Sequence, residues 1–347
     1  MENSKSDKIK KILDSAKLPY FLAPMFQVND LAFRKMCRTH NILLCWTGMI
    51  NSHMWSINEK ERQKMFETCD DDRPLIAQLN GNEETELISC AQDIEGLVDA
   101  IDLNLGCTQH IARRGQYGYF MVNSESKRQN VIKLIEQLNS KISVPITAKI
   151  RLINNEDGVQ DPNLTCEFAK SLEKAGVSLI SVHGRQKQLN KSGDIDIDAI
   201  KNIVNSVSIP VIANGGVKTK EDADNLIKQT GAAGVMIGQG LLENPLILET
   251  SNPDPVAMTK EYFDLYKKYP IDFFVARRHV FHFFDSIIRS TPQIANVLKK
   301  TRSVEDIYQF LDDYSSGKLQ NLPVEEDNNN DDNGEQQIDC ETGNNSQ

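Results

Sequence analysis

Apolar residues along this chain fall in short runs, too widely spaced for hairpins and suited to strand–helix units. The pattern predicts strands at residues 20–26 (YFLAPMF), 43–49 (LLCWTGM), 74–80 (PLIAQLN) and 101–105 (IDLNL). Four more are predicted at 145–151 (PITAKIR), 178–184 (SLISVHG), 209–214 (IPVIAN) and 234–238 (GVMIG). Between them, residues 125–140, 162–176 and 219–229 repeat apolar positions at i, i+3 and i+4 behind a capping residue, which predicts helices.

Eight strands, each with room for a helix behind it, make an α/β fold of the (β/α)8 TIM-barrel type over residues 18–250. A doubly wound sheet is the rival, and it carries its glycine-rich phosphate loop after the first strand. Here the first strand ends in APMFQ, and the glycine-rich segments ANGGV and IGQG follow strands seven and eight. Many barrels bind phosphate at that place, so the barrel is preferred. After residue 250 the pattern turns helical (FFVARRHVFHFFDSIIRS within 257–312), which predicts a small all-α domain over 251–320. Residues 1–17 read as an N-terminal extension, and the acidic, Asn-rich tail at 321–347 is expected to be disordered.

Charge changes this picture in one respect. The net charge of −10 argues against a nucleic-acid partner until its distribution is considered. Glu325, Glu326, Asp327, Asp331, Asp332, Glu335, Asp339 and Glu341 all lie in the tail, leaving about −2 on the rest of the chain. Local basic patches therefore decide the question. Seven cysteines, odd in number and without a CxxC pair, fit a reducing compartment and neither a disulfide framework nor a zinc site. MENSKSDKIKKIL has no apolar h-region and no apolar run is of membrane-spanning length, so a cytoplasmic or nuclear protein without membrane or metal is expected.

In a barrel the chemistry sits at the C-terminal ends of the strands. Those ends carry Pro24 and Met25, Gln78, Asn104 with Cys107, Lys149 with Arg151, His183 with Arg185, Asn214-Gly215-Gly216, and Gly238-Gln239-Gly240. The rim lacks a carboxylate pair, which weighs against glycosidase and divalent-metal chemistry. The glycine segments offer backbone N–H groups to a phosphate. Gln78 and Asn104 both donate and accept, as the pyrimidine edge of a flavin requires, and Lys149 adds positive charge where a reduced flavin gathers negative charge. These features point to a flavin mononucleotide (FMN) barrel.

APMFQVNDLAFR, AQLNG, DLNLGCTQHIARRGQYGYF, TAKIR, SVHGR, VIANGGV and GVMIGQGLLENP, in that order, resemble the tRNA-dihydrouridine synthases, above all the eukaryotic branch acting on D-loop uridines 16 and 17. The resemblance implies reduction of the uridine C5=C6 bond in tRNA, with hydride from reduced FMN N5 to C6, a proton from Cys107 to C5, and NADPH or NADH as reductant. It also implies FMN contacts from Pro24, Met25, Phe26, Gln78, Asn104, Lys149, His183, Asn214, Gly215, Gly216, Gly238 and Gln239. Two positions depart from the family pattern. Thr108 stands where Pro is usual, freeing a backbone N–H and loosening φ, and Gln239 stands where bacterial members often have Arg.

As an acid, Cys107 should keep its proton near the ordinary thiol pKa of about 8.5. The plainer reading of a lone cysteine is buried packing, and of His183 a satisfied barrel histidine. Arg113, Arg114, Arg151, Arg185, Arg277 and Arg278 are the candidate tRNA contacts, with Lys187, Lys191 and Arg289 as further ones. Arg185 reads equally as an ion-pair former, and FFVARRHVFHFF as an amphipathic core helix with a charged edge. Two rival functions stand: an FMN barrel acting on a free pyrimidine, as dihydroorotate dehydrogenases do, and a non-catalytic tRNA-binding chaperone on the same fold. A monomer is expected.

Overall fold

Eight parallel strands close on one another in sequence order: β1 (Tyr20–Leu22), β2 (Leu44–Asn51), β3 (Leu75–Asn80), β4 (Ala100–Leu105), β5 (Ile146–Arg151), β6 (Val177–His183), β7 (Val211–Asn214) and β8 (Gly234–Ile237). β8 pairs back onto β1, with Phe21 beside Met236, so the sheet has no free edge. The computed structural model describes residues 4–155, 157–185 and 194–319. The predicted strands agree with these bounds except the first, which stops at Leu22 rather than running to residue 26. Ala23 still donates to the Ile237 carbonyl at 2.9 Å, but Pro24 has no N–H and the ladder ends there.

The strands alternate with a period of two, and the two faces meet different partners. Ala77, Leu79, Ile101, Leu103, Leu105, Ile146, Ala148, Ile150, Ile180 and Val182 point outward into the core shared with the helices. Inward, Phe21, Leu44, Trp46, Ile76, Ala100, Leu179, Ile212 and Met236 fill the N-terminal half of the barrel. The next inward residues along the strands are polar: Gln78, Asp102, Thr147, Lys149, Ser181, His183 and Asn214. The barrel therefore has an apolar floor and a polar mouth.

The described part of the N-terminal extension, from Ser4 on, is the stopper of that floor. The helix Lys5–Ser15 starts with a capping box between Ser4 and Asp7. Its Ile9 and Ile12, followed by Ala16, pack in one cluster with the apolar floor. Lys5 Nζ donates to the Asn139 carbonyl at 2.5 Å, and Lys8 Nζ to the Ser143 carbonyl at 2.9 Å, tying the helix to the barrel wall.

The expected helical segment is present as Pro255–Tyr266, Phe273–Phe283, Asp285–Ser290, Gln293–Lys300 and Val304–Ser315. It docks on the barrel helix Leu31–Thr39, and one continuous buried cluster runs through both. At the junction Asp30 caps the N-terminus of Leu31–Thr39 and also receives His279 Nε2 at 2.7 Å. His40 meets Glu249 and Glu261, each at 3.0 Å. The tail at 321–347 lies outside the described residues.

Candidate active site

The C-terminal ends of β3, β4 and β5 are built by register. Gln78 lies beside Asp102, and Asn104 beside Lys149, in the parallel ladders. Because side chains two apart on a strand share a face, Asp102 and Asn104 both point into the barrel. Gln78 Nε2 donates to Asp102 at 2.7 Å, while Gln78 Oε1 accepts from Asn104 Nδ2 at 2.9 Å. Asn104 Oδ1 then accepts the backbone N–H groups of Gly106 and Cys107 at 3.1 and 3.0 Å. The loop that carries Cys107 is thus held from beneath by a strand side chain.

Further contacts hold the same loop. Tyr119 N donates to the Cys107 carbonyl at 3.0 Å. Gly118 has φ +65° and lies so close that an added Cβ would stand 2.8 Å from the Cys107 carbonyl oxygen. The stiffness that a proline would lend at Thr108 is here supplied by hydrogen bonds and this close approach.

The electrostatics of the mouth follow from burial and from neighbours. Burial pushes the Cys107 thiol above its usual range, against the pull of Lys149 and Arg151. Lys149 lies deep in the mouth, and burial together with Arg151 lowers its amine to about 8, partly offset by Asp102 and Cys107. Burial likewise lowers Arg151 to about 10 and pushes the Asp102 carboxyl up to about 6. Burial, then Lys149, Arg151 and Arg185, drive His183 down to about 2, so its imidazole is neutral at ordinary pH. The site joins a protonated thiol, a lysine of weakened basicity and a neutral imidazole.

The glycine segment after β7 also lies at this mouth. Gly215 and Gly216 have φ values of +120° and +75°, conformations that L side chains rarely adopt. A Cβ on Gly215 would stand 3.0 Å from His183 Cδ2, so the backbone closes directly on the histidine. A cavity of about 580 Å³ opens here, lined by Arg185, Gly215, Gly216, Lys218 and Asn225 among others. Asn214 donates from Nδ2 to the Met236 carbonyl at 2.7 Å, bracing β7 against β8.

Other expected residues spread more widely. Pro24, Met25 and Phe26 follow β1 on the rim, where Phe26 is exposed and Gly238 approaches Met25 Sδ. The Gln239 amide is taken by Glu243 at 2.8 Å, along its own short helix. Arg113 and Arg114 are exposed in the last turn of His110–Arg114, and Arg151 turns back to the Gly106 carbonyl at 3.4 Å. Arg185 accepts Arg151 on its own carbonyl at 3.3 Å. Arg277 donates to the Lys299 and Thr301 carbonyls at 3.0 and 2.8 Å and stacks on Phe274, so it caps the helix Gln293–Lys300. Arg278 reaches Gln27 at 2.6 Å, beside the rim. Arg289 is engaged by Asp285 and Glu243, and Lys187 and Lys191 lie outside the described residues.

Sequence reasoning missed Asp102, Thr147 and Tyr117. Asp102 and Thr147 occupy inward strand positions, in phase with Asn104 and Lys149, and that period-two phase was the available signal. Burial raises the Tyr117 phenol to about 12, with the Cys107 sulfur nearby and Asn80 hydrogen-bonded to it.

A closed parallel barrel whose polar inward side chains gather at the strand ends around a thiol defines the class: an α/β barrel with its chemistry at the C-terminal mouth. Residues 21–341 match the Dihydrouridine synthase (Dus) family, and the chain belongs to that family. It is 33% identical over 292 residues to the rat (Rattus norvegicus) protein named tRNA-dihydrouridine(16/17) synthase [NAD(P)(+)]-like, with 83% of this chain and 65% of that one aligned. A Schizosaccharomyces pombe tRNA-dihydrouridine(16/17) synthase [NAD(P)(+)] is 33% identical over 265 residues, covering 72% of this chain and 64% of its own. The mouse (Mus musculus) tRNA-dihydrouridine(20a/20b) synthase [NAD(P)+]-like protein is 30% identical over 309 residues, covering 88% and 92%. The alignment thus spans just under two thirds of the length of these 16/17 relatives, at 65% and 64%.

Proposed function

We propose that this chain reduces uridine to 5,6-dihydrouridine in the D-loop of tRNA, at positions 16 and 17, with FMN as bound cofactor and NADPH or NADH as reductant. The observation that carries the reading is Cys107, whose thiol burial keeps protonated on a loop pinned at the mouth of the barrel. An acid must hold its proton before the reaction and bear the charge afterwards. Burial meets the first need, and the positive charges of Lys149 and Arg151, which pull the thiol pKa down, meet the second.

The residues present fit FMN. Lys149 is half-buried at the mouth and its Nζ has no hydrogen-bond partner among the described residues, so the amine can donate to an electron-rich group held there. Gly215 and Gly216 keep their backbone open beside a cavity lined by Arg185 and Lys218 and also by Asp194 and Asp222, so the backbone N–H groups of the glycine turn are what would receive a phosphate. Bound there, FMN would supply the hydride for uridine C6. Lys149 would donate to the flavin, His183 would offer a neutral donor and acceptor, and Cys107 Sγ would give its proton to C5. Exposed Arg113 and Arg114, on the helix that follows Cys107, would meet the tRNA phosphates.

The purified full chain should carry releasable FMN and, with NADPH, form dihydrouridine in unmodified tRNA. Cys107→Ala should keep the flavin and lose product by at least about a hundredfold, the usual scale of a lost general acid. Full activity in that variant would remove Cys107 as the acid. Turnover of free dihydroorotate without tRNA activity would replace the reading with its pyrimidine rival, and tRNA binding by a protein that cannot be loaded with flavin would favour the chaperone. Mapping of the product distinguishes positions 16 and 17 from 20a and 20b.

A further inference from the structure

Beneath the proposed acid lies a ladder of hydrogen bonds with only one chemically consistent direction. At its upper end are two backbone N–H groups, of Gly106 and Cys107, which can only donate. At its lower end is the buried carboxylate of Asp102, which when ionised can only accept. Between them stand two amides that could each be turned either way in isolation. Asp102 takes Gln78 Nε2 at 2.7 Å, which leaves Gln78 Oε1 facing Asn104. That oxygen takes Asn104 Nδ2 at 2.9 Å, which leaves Asn104 Oδ1 facing the loop. Met49 Sδ accepts the second Asn104 proton at 2.9 Å, so the Asn104 amide is saturated. Thr147 Oγ1 donates to the other Asp102 oxygen at 2.5 Å and holds the carboxylate in place. Reversing either amide would bring donor against donor.

We propose that Asp102 is a positioning residue for Cys107: as an acceptor-only terminus it sets the sense of the Gln78 and Asn104 amides, and through them holds the loop that presents the thiol. The importance of this for turnover rests on the proposed role of Cys107 as the acid, but the ladder itself does not. Asp102 touches neither the thiol nor a substrate. It acts across two strands, from Asp102 on β4 to Gln78 on β3 and back to Asn104 on β4. Asparagine at position 102 would keep the volume but present both a donor and an acceptor to Gln78, so that the direction of the ladder would be fixed from its upper end alone.

The test compares Asp102→Asn with Thr147→Val in the full chain at pH 8, where Asp102 is ionised. Thr147→Val removes a hydrogen bond from the same buried carboxylate but leaves it acceptor-only. Amide hydrogen exchange is followed by mass spectrometry in a fragment that includes Gly106 and Cys107, and turnover is measured on tRNA. Asp102→Asn should accelerate exchange in that fragment about fivefold or more, the equilibrium worth of one net hydrogen bond. Thr147→Val should leave it close to wild type. Asp102→Asn should lower kcat on the order of tenfold or more, as a displaced reacting group does, with KM for tRNA unchanged and flavin retained. Its Tm should not fall, whereas a merely structural role would lower Tm and kcat together. Wild-type exchange in Asp102→Asn, or equal exchange in the two variants, would overturn the proposal. A wild-type protein that forms no dihydrouridine but still shows the exchange difference would remove the proposed function and leave the ladder standing.

Discussion

Lys149 shows how much one side chain's surroundings decide. It stands on β5 among Asp102, Cys107, Arg151 and His183, and burial with Arg151 brings its amine from 10.5 down to about 8. Because the folded pKa lies below the unfolded one, the fold favours the neutral amine. The stability tied to this group is present above the free-lysine value and is lost as pH falls through about 8. Lys149→Met should therefore raise the Tm of the flavin-free protein at pH 7, by removing a burden on the order of 3 kcal/mol, and the gain should vanish at pH 11. Thermal denaturation at the two pH values checks this. The same variant should alkylate more slowly at Cys107, since the lysine charge lowers the thiol pKa, and should bind FMN more weakly. A site residue that destabilises its own fold is the pattern expected where function, not packing, dictates the choice.

Among the elements, the helix Lys5–Ser15 is the one whose role depends wholly on its neighbours. Its sequence, KSDKIKKILDS, describes a short charged amphipathic helix that could lie on many surfaces. In the structure Ile9 is 1% exposed and packs with the apolar inward residues of the barrel. Ile9→Ala should cost about 2–5 kcal/mol, read as a lower urea midpoint, because the cavity would open against a closed barrel end with little room to collapse. The polar mouth at the opposite end should keep its affinity for FMN in the fraction that remains folded.

For the molecule as a whole, the barrel and the C-terminal helices are joined through Asp30. Burial pushes this carboxyl up, yet His279, the Phe33 N–H and Arg34 together outweigh burial and hold it below the ordinary range. Tyr262 OH donates to the same carboxylate at 3.3 Å, so three elements meet on one side chain. Asp30→Asn should cost about 3 kcal/mol, the scale of breaking a buried pair, and the loss should appear as a lower urea midpoint. With a lowered folded pKa, the contribution is present above the free-carboxyl value and fades as pH falls through the folded one. Wild type and variant should thus converge in strong acid.

The strand order, the period-two alternation and the polar character of the strand ends were all written in local pattern, because a strand's side-chain period is a property of the backbone itself. That is why Gln78, Asn104, Lys149, His183 and Cys107 were legible as mouth residues before any contact was known. Asp102 was not, because both faces of a barrel strand are buried and one polar letter among apolar ones does not reveal its partner. Arg277 read either as an RNA contact or as the charged edge of a core helix, and only the structure shows its guanidinium on the carbonyls of Lys299 and Thr301. Asp30 and His279 stand 249 residues apart, and nothing local links them. By itself, then, the sequence determined which groups the barrel would present and at which end. Tertiary structure alone decided their partners and protonation states, because burial and Coulomb interactions act through space between residues that the chain keeps far apart.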